Sequence, residues 1–69
     1  MKIKKYNVNE IVLLDAQKKL RNKLNHLDEI HVGDEHFARV KEVLDRNTIA
    51  YQCIRDPQLK FNTLLILLE

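Results

Sequence analysis

The chain has one glycine, one proline and one cysteine among 69 residues, and each scarcity excludes something. A β-rich chain of this length needs several turns with positive or fixed φ, which Gly, Pro, Asn and Asp chiefly supply. With only Gly33 and Pro57 on hand, long helices are favoured over many strands. A single thiol closes no intrachain disulfide, and no Cys/His spacing of the zinc-finger kind accompanies it. Cys53, set among apolar neighbours, reads as a small core residue. The longest apolar run, Leu64 to Leu68, is five residues. Crossing a bilayer takes ~20, so no membrane contact is expected. The lone thiol, and a start that lacks a charged and apolar leader, point to the cytoplasm. There is no glycine-rich phosphate loop, nucleophile motif or poised acid-base pair. The expectation is therefore a protein that is not an enzyme, with no catalytic residue, cofactor, metal or small-molecule substrate.

What is present is a chain 45% apolar and 32% charged with a net charge of +2, enough for a single small domain over residues 1–69. Ordering costs ~1.5 kcal/mol per residue, which brings a core of this size close to zero net stability. Without a disulfide or metal, a second chain is the remaining support. Eleven leucines fit helices, since leucine is a good helix former.

Gly33 and Pro57 divide the chain into three stretches. Asn7 followed by Glu10 is an Asn form of the capping box, with Tyr6 and Ile11 placed as a hydrophobic staple, so a helix starts near Val8. Leu13, Ala16, Leu20, Leu27 and Ile30 then follow a 3.5-residue rhythm that predicts a helix over 8–31. Asp34 is an N-cap candidate for a second helix over 34–55, striped by Phe37, Val40, Leu44, Tyr51 and Ile54. Lys41 with Asp45 and Glu42 with Arg46 are spaced to pair across its outer face. Asp56-Pro57 then opens a short helix over 57–69, carried by Phe61, Leu64, Leu65 and Leu68. The fold class predicted is all-α, a helical hairpin plus a C-terminal helix. The alternative is α+β, with two helices and a C-terminal β-hairpin of 48–55 and 59–68. It rests on the alternation of Ile49, Tyr51 and Cys53 and on Asp56-Pro57 as a type I turn.

In the helical arrangement Ile11 to Leu14 converge on Leu64 to Leu68, and a helix apolar on all sides must be covered on all sides. A homodimer or a docked protein partner is expected there. Its contact residues would be Ile11, Leu14, Tyr51, Ile54, Phe61, Leu64, Leu65, Leu67 and Leu68. Charge is also split, with residues 1–25 at net +5 and residues 26–69 at net −3. Lys18, Lys19, Arg21 and Lys23, helped by the N-terminal lysines, form a basic face that could meet the phosphates of a nucleic acid. No aromatic is interleaved among them for base stacking. His26, His31 and His36, with Asp28, Glu29, Asp34 and Glu35, read as the solvated tip of a helical hairpin, since a five-residue repeat puts the imidazoles on different faces. These features suggest a small regulatory or inhibitory protein acting by protein-protein interaction. Lysine, asparagine and isoleucine usage hints at phage or mobile-element origin. A nucleic-acid-binding regulator is the alternative.

Overall fold

The computed structural model describes residues 3–68, and they form an α+β structure with the strand order β1-β2-β4-β3. In chain order the elements are β1 (Lys5–Tyr6), α1 (Val8–Ala16), α2 (Leu20–Lys23), β2 (Glu29–Val32), α3 (Asp34–Arg46), β3 (Tyr51–Arg55) and β4 (Asn62–Ile66). The all-α expectation is thus overturned, while the α+β alternative fits. Lys2 and Glu69, which the sequence reading drew on, lie outside the described residues.

The first helix starts as expected. Asn7 accepts from the Glu10 backbone N–H at 2.9 Å, and Glu10 accepts from the Asn7 N–H at 3.2 Å, closing both halves of the capping box. It does not reach residue 31. After Ala16 the Lys18 N–H donates to the Asp15 carbonyl and the Lys19 N–H to the Leu14 carbonyl, a Schellman end with Lys18 at φ 57°. The expected stripe was misleading. Ile11 is fully buried, whereas Leu13 is 56% exposed.

The next two turns use the same device. Asn25 to Asp28 closes through an Asp28 N–H to Asn25 carbonyl bond of 3.0 Å, with Leu27 at φ 72°. That places leucine where a type II turn ordinarily takes glycine. Residues 29–32 follow as β2, so no hairpin tip of helices exists here. The α3 helix, capped by Gly33 rather than Asp34, ends at Arg46 and not at 55. Thr48 donates to the Asp45 carbonyl and Ile49 to the Leu44 carbonyl, a second Schellman end with Thr48 at φ 58°. The scarcity of glycine did not prevent turns; Lys18, Leu27 and Thr48 make them instead. A β-branched residue in the left-handed region is strained by roughly 1–2 kcal/mol, and glycine there is not. Thr48→Gly is therefore expected to raise stability by up to ~1 kcal/mol, about 5 °C in Tm, read by thermal melting. A fall in Tm would show that Thr48 is not strained.

The expected third helix is also absent. Asp56 accepts from the Gln58 N–H at 2.9 Å through its side chain and from the Leu59 N–H at 2.9 Å through its carbonyl, turning β3 into β4. The pair is antiparallel, with Tyr51 opposite Ile66 and Arg55 opposite Asn62. β4 also pairs antiparallel with β2, and β2 parallel with β1. Both β1 to β2 and β2 to β3 are therefore crossovers between parallel strands, running in the same direction. Right-handed crossovers of that kind put α1 and α3 on one face of the sheet.

The core lies between those helices and that face. Ile11, Leu20, Val40 and Leu44 meet Ile30, Val32, Leu64 and Ile66, all of them buried. Polar groups at its margin are satisfied. The Tyr6 hydroxyl donates to the Lys23 carbonyl at 3.2 Å, and Asn62 donates to Asp34 at 2.8 Å while accepting from Arg55 at 3.0 Å. Arg55 also forms an ion pair with Asp34. Among the described residues no helix is long and apolar enough to cross a membrane.

Candidate interaction surface

Side chains alternate across a strand, so burying Ile30, Val32, Asn62, Leu64 and Ile66 under the helices sends their neighbours to the opposite face. With the observed registers, Lys5, Glu29, Leu65 and Gln52 form one row across that face, and His31, Thr63 and Ile54 form the next. Phe61 and Leu67 extend the Leu65 column at either end. No helix covers this side among the described residues. His31 Nε2 donates a 2.9 Å bond to the Glu29 carboxylate, and its ring stacks on Phe61 with centroids 4.6 Å apart.

Four of the nine residues expected at a partner interface come together here. Ile54 is 45% exposed and Leu67 37% exposed, with Phe61 and Leu65 half-buried beside them. The other five are elsewhere. Ile11 and Leu64 are fully buried in the chain's own core, and Leu14, Tyr51 and Leu68 are partly buried against it. Leu64 and Leu65 are adjacent in sequence yet on opposite faces of the sheet. Helical spacing had placed them together, because i and i+1 positions differ by only 100° on a helix but by 180° on a strand.

The basic residues occupy a second surface. Lys18, Lys19, Arg21 and Lys23 are all exposed, but Arg21 is engaged internally. Its guanidinium donates to the Asn47 and Thr48 carbonyls, each at 2.9 Å, and so ties α2 to the end of α3. Beside it, Arg46 pairs with Asp15 of α1, and not with Glu42 one turn earlier on its own helix. Lys18, Arg21, Asn22, Arg46 and Asn47 line an open groove around that pair. The Asn47 side chain, then Arg46, hold the Asp15 carboxyl below its ordinary value of 3.8. Its folded pKa lies below its unfolded one, so the stabilisation is present above the unfolded pKa and is lost as pH falls through the folded pKa. Asp15→Asn is expected to lower stability at neutral pH and to flatten its decline below about pH 4, read by urea melts at stepped pH. A decline of unchanged steepness would remove Asp15 from the acid limb.

The remaining candidates are dispersed. His26 lies in the turn before β2, His31 on the helix-free face and His36 in the first turn of α3, 3.6 Å from Glu35. No group of three His, Cys, Asp or Glu side chains is gathered as a metal site among the described residues. Cys53 is exposed at the middle of β3, not a core residue, because β3 is the edge strand and α3 packs over β2. Sequence reasoning missed the contribution of β2. The alternation Glu29, Ile30, His31, Val32, with two β-branched residues, was the signal that could have found it. Comparison with protein families, with characterised proteins and with solved structures finds no match for this chain.

Proposed function

We propose that this chain is a small regulatory or inhibitory protein that acts by binding another protein through the helix-free face of its sheet, without catalysis. The observation that supports the reading is the column of Phe61, Leu65 and Leu67 beside Ile54, apolar side chains gathered where none of the described elements covers them. Apolar groups clustered on one face, rimmed here by Lys5, Glu29 and Gln52, mark docking surfaces more often than scattered single residues do. A single exposed thiol fits a reducing compartment such as the cytoplasm.

The test is site-directed photo-crosslinking in the native host. A photoreactive residue at position 54 is expected to give a discrete protein adduct, and one at position 39, on α3, is not. Leu65→Asp should abolish the adduct while leaving the far-ultraviolet circular dichroism unchanged. A nuclease-sensitive adduct from position 19 in its place, lost when Lys18, Lys19, Arg21 and Lys23 are changed to Gln and steeply weakened by salt, would replace this reading with nucleic-acid binding.

A further inference from the structure

The outer side of β3 has no strand beside it among the described residues. Which of its backbone groups face that open side follows from the hydrogen bonds on the other. Ile66 donates to the Asp28 carbonyl and accepts from the Leu27 N–H, so residues 62, 64 and 66 of β4 address β2. Leu67 donates to the Ala50 carbonyl, so residues 63, 65 and 67 address β3. In an antiparallel ladder the N–H and C=O of one residue point the same way, and successive residues alternate. Through the register, Ala50, Gln52 and Ile54 are therefore committed to β4, and Tyr51, Cys53 and Arg55 turn their N–H and C=O groups outward.

We propose that this edge pairs with the same edge of a second copy, antiparallel about a two-fold axis through Cys53, to make one continuous eight-stranded sheet. The symmetry uses all three outward residues at once. Cys53 meets Cys53 of the other copy, and Tyr51 meets Arg55 in both directions, so every outward N–H and C=O of β3 acquires a partner. The side chains agree with that register. No like charges oppose one another. The Asp45 carboxylate lies beside Tyr51, so the Arg55 of the other copy arrives near a negative charge. Gln52 to Arg55 are exposed, and α3 packs against α1 and β2, leaving the edge open. The strand itself carries neither proline nor bulge, and its one charged residue, Arg55 at its end, is held by Asp34 and Asn62.

A two-fold axis of this kind stands perpendicular to the sheet and leaves both helix layers on one side. The two helix-free faces join, bringing Ile54 and Leu65 of both copies into one apolar surface across the axis. The pairing is independent of the function proposed above and doubles the face on which that function rests.

The experiment is analytical ultracentrifugation over micromolar to hundreds of micromolar protein, with Cys53 as an internal reporter. The wild-type chain is expected to sediment at twice its 8.2 kDa mass. Mild oxidation by copper phenanthroline with oxygen should couple Cys53 to Cys53, because residues directly opposite in a hydrogen-bonded pair have Cα atoms about 5.5 Å apart, within disulfide reach. A cysteine placed instead at position 38, in a Cys53→Ser background, should not couple. Cys53→Lys sets two ammonium groups against each other at the axis and is expected to raise the dimer dissociation constant at least about tenfold. Cys53→Pro removes an outward N–H while sparing the β4 ladder, and should do the same with unchanged circular dichroism. A wild-type monomer throughout, or a dimer indifferent to both substitutions, overturns the pairing. A monomer that still gives the position 54 adduct overturns the pairing alone and leaves the function standing.

Discussion

Leu64→Ala is expected to remove most of the stability of this chain, whereas Leu65→Ala, one residue along, is expected to leave it nearly intact. Leu64 is fully buried at the centre of β4, opposite Ile30 of β2 and Cys53 of β3. Cutting a buried leucine back to alanine costs about 2–5 kcal/mol, the lost transfer energy plus the cavity left behind. A chain of this length has roughly 3–10 kcal/mol in all, so Leu64→Ala should be largely unfolded or should lose more than half its urea midpoint. Leu65 is half-buried on the helix-free face and has no helix against it, so its truncation should cost about 1 kcal/mol or less. The measurement is urea unfolding followed by circular dichroism, with the slope of the transition compared between variants. Equal losses at the two positions would contradict the alternation that separates core from surface.

Asp28→Ala is the second large effect, and it is polar in origin. Asp28 is only 2% exposed, and its two carboxylate oxygens accept from the Lys4 N–H at 3.1 Å and the Asn25 N–H at 2.9 Å. It joins the segment entering β1 to the turn entering β2, the starts of two neighbouring parallel strands. Its backbone accepts from Ile66 at 2.8 Å, adding the last residue of β4 to the same point. Truncation leaves two part-buried amides without acceptors, and each bond to a charged group contributes about 1.5–3 kcal/mol. A loss of ~3 kcal/mol is expected, with hydrogen exchange at Lys4 and Asn25 speeding up before the amides of α3 do. Asp28→Asn keeps one accepting oxygen and should recover about half. Uniform loss of protection across the chain would mean that Asp28 acts through packing, not by holding this junction.

The parts legible in the sequence were those decided within a few residues. The Asn7 and Glu10 capping box, the start of a helix at Val8, and the stripe of Val40 and Leu44 are all local. Each depends on contacts one helical turn apart. The choice between strand and helix after Asn47 was open, because Ile49, Tyr51 and Cys53 alternate while Phe61, Leu64, Leu65 and Leu68 satisfy a helical period. Only pairing resolves it. Once β4 lies between β2 and β3, Leu64 and Ile66 must face the helices and Leu65 and Leu67 must not. The candidate surface was accordingly half visible. Its apolar residues were singled out, but mixed with core residues such as Ile11 and Leu64 that only the sheet separates from them.

The sequence by itself determined that this is a 69-residue chain with no intrachain disulfide, no zinc-finger spacing and no apolar run long enough to cross a bilayer, and it determined where its first helix begins. Tertiary structure decided that Lys18, Leu27 and Thr48 would turn the chain without glycine. Left-handed backbone at those residues is unfavourable locally and is outweighed by burying Leu20, Ile30 and Ile49, side chains that each turn delivers to a core assembled from distant parts of the chain.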